Sequence, residues 1–202
     1  MRKFLAVIFL LGFANLAYAH GVFDFNTANS RLNSTANPMV VLIGDSNVYR
    51  APSTFSVPGY NLVKWAVNGI NSKDIVRGLP LIAWVKTPAI CAVIDGTNDA
   101  YGQNNAPEIQ PSYYKINLKM AVLMLKARCD RVILFSPPPT RDRVNISAWV
   151  TAAQEAAAEM DVQYFPLTET MFPPSAFGDD VHFNASGYAI LQQAMIDAIA
   201  AN

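Results

Sequence analysis

Imidazole is scarce in this sequence: the 202 residues include only two histidines, His20 and His182. Two cysteines, Cys91 and Cys129, complete the soft-ligand inventory, and neither histidine stands at zinc-ligand spacing from them. No metal site and no cofactor fingerprint is therefore expected. His182 closes the run Asp179-Asp180-Val181-His182. A carboxylate so close to an imidazole can fix its tautomer and stabilise the imidazolium that forms when it takes a proton. The proton donor that such a base calls for is a serine, a weak nucleophile until it is deprotonated. Ser46, in Val40-Val41-Leu42-Ile43-Gly44-Asp45-Ser46-Asn47, is the candidate. An oxyanion formed on an attacked carbonyl needs preorganised N–H donors. Asn98, in Gly96-Thr97-Asn98-Asp99, offers a side-chain amide, and the Ser46 backbone offers another N–H. Each residue alone has an ordinary explanation. Ser46 suits a helix N-cap, and Asp45 and Asp99 suit turns.

The elements that must position these groups follow from the apolar pattern. Met39 to Ile43 is a run of large apolar residues that stops at Gly-Asp-Ser, as a buried parallel strand ending in a tight turn does. Pro52, Pro58 and Gly59 leave room after Ser46 for one or two helical turns. Further strands are expected at 61–67, 89–94, 131–135 and 162–165. Helices are expected from Ser72 (as N-cap) towards Val85, irregular at Gly78 and Pro80, and over 111–128, 147–160 (capped by Asn145) and 186–199 (capped by Ser186). A polar loop is expected from Asp95 to Gln110. Strands alternating with helices at this spacing imply right-handed βαβ units. The expected fold is α/β, a three-layer α/β/α sandwich with a five-stranded, mainly parallel, flavodoxin-like sheet. Three strand ends carry small and polar residues (Gly44-Asp45-Ser46, Asn68-Gly69 and Gly96-Thr97-Asn98), and such ends share the edge where ligands collect.

With these blocks in order, the chain resembles the SGNH (GDSL) hydrolases from Val40 to the final helix. Gly44-Asp45-Ser46 resembles the family's first block, Gly96-Thr97-Asn98-Asp99 its third, and Asp179-x-x-His182 with Phe183 to Tyr188 its fifth. The resemblance implies a Ser46–His182–Asp179 triad, with Asp180 as the competing acid. It also implies an oxyanion hole built from the Ser46 N–H, the Asn98 amide and a second-block N–H. Gly69 is the preferred second-block donor, because close backbone approach favours glycine, and Ser72 competes with it. The second block departs from the family pattern, and the connection after Ser46 is short, which leaves the site open on one side. Tyr101, Tyr113, Phe172 and Phe177 are candidate pocket aromatics, while Arg50, Arg141 and Arg143 read as solvated.

Residues 1–19 have a basic start, an apolar run and Ala17-Tyr18-Ala19, the form of a secretory signal peptide cut before His20. Residues 20–38 then form a polar arm, and residues 39–202 the single domain. Removing Arg2 and Lys3 from 15 basic residues against 15 acidic ones gives a mature net charge of −2. Without a basic stripe, nucleic acid and anionic membrane surfaces are poor partners, and no stable membrane insertion is expected after cleavage. Export makes a Cys91–Cys129 disulfide one alternative and two buried thiols the other. The expected function is an exported, periplasmic or secreted serine esterase that cleaves small-molecule, lipid or carbohydrate acyl esters through an acyl-enzyme. The alternatives are an O-acetyl transferase or deacetylase acting on cell-envelope carbohydrate and a non-catalytic carbohydrate-binding protein. Oligomeric state is open, with a monomer as the default.

Overall fold

A computed structural model describes residues 35–82, 84, 86–101, 110–142 and 145–201. The expected signal peptide, most of the expected arm, Val85 and Arg143 lie outside them. Five strands, β1 (Met39–Gly44), β2 (Asn61–Ala66), β3 (Ile90–Ile94), β4 (Arg131–Phe135) and β5 (Gln163–Phe165), form one sheet in the order β2-β1-β3-β4-β5. Every pairing is parallel. Side chains of β1 alternate between the two faces, as a strand period of two dictates. Met39, Val41 and Ile43 enter one core, and Val40 and Leu42 the other.

The first core is covered by α2 (Ser72–Gly78), α4 (Pro111–Lys126) and α5 (Ser147–Glu159). The second is covered by the one-turn α1 (Ser46–Tyr49) and by α6 (Ala185–Ala200). That makes the three-layer sandwich. Packing on α5 uses Ala152, Ala153, Ala156 and Ala157, whose small side chains let the helix lie close to the sheet. A disulfide joins Cys91 in β3 to Cys129 in the turn before β4, so the open alternative resolves to a bonded pair.

Several boundaries differ from expectation, each for a local reason. Asn71, not Ser72, caps α2, in a reciprocal capping box with Asp74. The helix ends at Gly78 and passes into a 3₁₀ turn, Leu79–Leu81, around Pro80. A side chain at Gly78 would strike the Trp65 ring, at 2.6 Å from a Cβ. Asn184, not Ser186, caps α6, accepting from the N–H groups of Ser186 and Gly187. The loop expected after β3 begins with a five-residue helix, α3 (Thr97–Tyr101).

Candidate active site

The sheet reverses its direction of winding between β1 and β3, and in doubly wound folds the crevice at that switch is the binding edge. Gly44 and Ile94 are register partners there, and the chain leaves each strand for a short helix: Ser46 opens α1, and Asn98 lies in α3. Glycine at 44 is a packing requirement, since a Cβ would lie 2.1 Å from the Ile94 carbonyl oxygen. Asp45 caps α1 by accepting the Asn47 N–H at 2.9 Å, which fixes the turn that presents Ser46.

His182 arrives from the other end of the chain on a closed loop. Phe177 and Phe183 form an antiparallel bridge, and the Gly178 N–H donates to the His182 carbonyl at 2.8 Å. Within that hairpin, Asp179 Oδ1 accepts the N–H groups of Val181 (3.0 Å) and His182 (2.7 Å). An Asx-type turn of this kind folds the carboxylate back over its own loop. The ring Nδ1 then sits 3.0 and 2.8 Å from the two Asp179 oxygens. Nε2 lies 3.0 Å from Ser46 Oγ, so three side chains form one hydrogen-bonded line. Burial raises the pKa of Asp179, but the Val181 N–H, the His182 ring and the His182 N–H outweigh it and hold the carboxyl low, at about 2. An ionised Asp179 only accepts, so Nδ1 carries the proton and Nε2 faces Ser46 with its lone pair. Ser46 is buried, while the Asp179 side chain is 54% exposed. Among the described residues the ring's hydrogen-bond partners are Asp179 and Ser46, while the Asp180 carbonyl accepts the Arg141 N–H.

Asn98 donates through Nδ2 to the Ile70 carbonyl at 2.7 Å. That bond uses one amide proton and orients the plane, leaving the second proton to serve as a donor. Gly69 precedes Ile70 with φ +74°, a left-handed conformation for which glycine is the default residue. The competing donor, Ser72, is otherwise engaged. Its N–H goes to Asp99 Oδ2 (3.0 Å), and its hydroxyl to Asp99 Oδ1 (2.6 Å). Asn117 donates to the same hydroxyl at 3.0 Å. Of the two second-block candidates, only Gly69 therefore keeps an N–H free of a protein acceptor among the described residues.

Residues 42–190 match the family model described as GDSL-like lipase/acylhydrolase. The chain belongs to that family. Membership makes it a hydrolase of carboxylic esters. Solved structures agree in fold. A GDSL-like lipase from Bacteroides thetaiotaomicron VPI-5482 superposes with a TM-score of 0.72 at 18% identity, over 88% of this chain and 97% of its own. An acetylxylan esterase from Geobacillus stearothermophilus gives 0.68 at 18% identity, over 83% and 96%. The lipase/acylhydrolase from Enterococcus faecalis gives 0.64 at 22% identity, over 80% and 94%. No curated protein matches the sequence.

Beneath Ser46 of this GDSL-like hydrolase lies a feature that the sequence shows only in part. Asp45, Asp95 and Asp99 are all buried. Neither carboxyl oxygen of Asp95 has a hydrogen-bond partner, nor does Asp45 Oδ2. Burial, reinforced by the neighbouring charge of Asp99, pushes Asp45 up to about 7. Burial likewise lifts Asp99 to about 6, against the Ser72 bonds that lower it. Asp95, also buried and facing Asp99 and Asp45, is pushed well above the ordinary carboxylate value by that burial and by the neighbouring charges.

Other expectations need correction. Phe172 and Phe177 do not line a pocket. They are buried, with ring centroids 4.7 and 5.2 Å from Phe183, and they anchor the hairpin that carries His182. Tyr113 points outward from α4, half exposed. Tyr101 donates to Asp142 at 2.6 Å and belongs to the rim. Arg50 is exposed, as read, and it also stands beside the site: its guanidinium is 3.9 Å from Asp179 Oδ2 and 3.5 Å from Asn68 Oδ1. The available signal was its position at the end of the single turn that Ser46 begins.

Proposed function

We propose that this hydrolase is an exported serine esterase working through an acyl-enzyme, with Ser46 as nucleophile, His182 as base and Asp179 as its orienting acid. The observation that carries the reading is the unbroken line from Asp179 through the His182 ring to Ser46 Oγ, with 3.0 Å at the Ser–His step. His182 Nε2 takes the hydroxyl proton as Oγ attacks the acyl carbonyl. The oxyanion is held by the N–H groups of Ser46 and Gly69 and by the Asn98 amide. The proton then passes to the leaving alcohol, and water activated by the same ring releases the acid.

A one-turn α1 after the nucleophile supports a small or exposed acyl group rather than a long buried chain. Acetylated carbohydrate is a fitting substrate class, since one similar fold is an acetylxylan esterase. Export is supported by the pattern of residues 1–19 and by the disulfide, a bond of oxidising compartments. Acyl transfer to a sugar hydroxyl would use the same residues with that hydroxyl in place of water. A purely carbohydrate-binding role is disfavoured, because recognition has no use for an imidazole in line with a buried hydroxyl.

The test is release of p-nitrophenol from acetyl, butyryl, octanoyl and palmitoyl esters by the purified mature chain and by Ser46→Ala. Turnover confined to the short esters and lost in the variant is the expected result. A folded Ser46→Ala protein that keeps full activity would refute the nucleophile.

A further inference from the structure

The outer face of α4 is the wrong kind of surface for a solitary helix. Tyr113 (49%), Ile116 (51%), Met120 (48%) and Leu123 (65%) are four of the six exposed large hydrophobic residues on the described surface. Helices that face water normally carry charged and polar residues on that side. Here the alternating spacing of three, four and three residues is the a/d seam of paired helices rather than a scatter. The opposite face, with Tyr114, Leu118, Ala121, Val122 and Leu125, already fills the core, so the outer stripe is surplus to the fold.

Two properties identify the occupant. First, the stripe is symmetric about Leu118. Reversed end for end, Tyr113 falls on Leu123 and Ile116 on Met120, so each a position meets a d position. A surface that complements itself under a two-fold rotation is suited to a second copy. Second, the flanking charges are already satisfied within the protomer. Lys115 pairs with Glu155 (2.7 Å) and Glu159 (2.5 Å), and Lys119 with Glu159 (2.6 Å). Lys126 donates to the Met160 carbonyl at 3.0 Å. No lysine of this helix is left to oppose its image. An antiparallel arrangement also sets each helix N-terminus beside its partner's C-terminus, a favourable alignment of dipoles.

We infer that this esterase forms an isologous dimer through α4, packed antiparallel with Tyr113 on Leu123 and Ile116 on Met120 of the second copy. The area supports a modest affinity. Half of four side chains of roughly 200 Å² each is about 400 Å² per copy, or about 800 Å² in all. That total lies below the roughly 1,000 Å² of a stable interface, so the pairing is a weak, transient one. Because α4 runs from the C-terminal edge of the sheet to its N-terminal edge, the pairing points the two Ser46 sites in opposite directions. Each site stays complete and open in its own protomer.

Sedimentation equilibrium of the mature chain, beside Met120→Glu, tests the interface. The expected result is a monomer–dimer equilibrium with a dissociation constant on the order of micromolar, weakened at least a hundredfold by the variant. The substituted position is exposed, so an unchanged circular dichroism spectrum and unchanged ester turnover will certify the fold. A wild-type chain that stays monomeric at about a hundred times that concentration overturns the proposal, whether or not it binds lipid vesicles. A variant that dimerises as well as the parent overturns it equally. Orientation is read by oxidative cross-linking, since the described residues have no free cysteine. Tyr113→Cys chains mixed with Leu123→Cys chains should cross-link to each other, and neither variant should cross-link to itself. Ten residues of helix hold identical positions about 15 Å apart. Self-linking of either variant at the rate of the mixture refutes the antiparallel pairing.

Discussion

Replacing Asp45 by asparagine should make the protein more stable, and increasingly so as pH rises. The exchange keeps the shape of the side chain and the oxygen that accepts the Asn47 N–H at 2.9 Å. It removes a carboxyl whose second oxygen is buried with no partner. Burial lifts that carboxyl from 3.8 to about 7, so the folded protein holds a proton that the unfolded chain releases. Its contribution is therefore most favourable below the unfolded value. It is lost as pH climbs through the window from 3.8 to about 7 and is constant above. A shift of about three units is worth about 4 kcal/mol, of which about 3 kcal/mol falls between about pH 5 and about pH 8. Asparagine has no such slope. Urea unfolding of both proteins at those two pH values should show the stability difference growing by up to about 3 kcal/mol in favour of the variant. That is equivalent to a melting-temperature gap widening by about 6–12 °C. Stability curves for the two proteins that run parallel over this range would refute the reasoning.

Two further outcomes follow from the same geometry. Asn98→Ala should lower kcat by about 10²–10³-fold with little change in KM, as loss of one oxyanion donor does, measured with a short p-nitrophenyl ester. An equal loss in KM alone would assign Asn98 to ground-state binding. Replacing Cys91 and Cys129 together by alanine opens a loop of 38 residues and should cost about 4 kcal/mol by chain-entropy reasoning, read as a lower urea midpoint.

Much of this architecture was legible in the residues because the signals were strong and local. The apolar runs that become β1 and β3 end at glycine-containing turns, and Pro111 stands at the first position of α4. The candidate site residues stand out for a different reason: scarcity leaves one imidazole near a carboxylate, and the structure brings that pair beside Ser46. What escaped detection depended on contacts distant in sequence. Ser72 looked like a helix cap or an oxyanion donor until Asp99, 27 positions away, claimed both its N–H and its hydroxyl. The caps at Asn71 and Asn184 lie one and two residues before the serines chosen, since asparagine and serine compete for the same geometry. Phe172 and Phe177 resembled pocket walls because a loop of prolines concealed their stacking on Phe183. No pattern marks α3, which is too short and too polar to show a period.

The distance along the chain between Ser46 and His182, 136 positions, has a consequence for reactivity. Under the proposed mechanism, the imidazole that Ser46 needs comes from the far end of the chain, beyond all five strands. The hairpin bearing His182 is tied to α6, whose Gly187 packs under the Ala176 carbonyl, where a Cβ would lie 2.2 Å away. On that mechanism, reactivity at Ser46 requires the C-terminal hairpin and α6 to be in place. Partly folded forms carry an inert alcohol at the sheet edge, and reactivity at Ser46 reports on closure of the whole domain rather than on any single element within it.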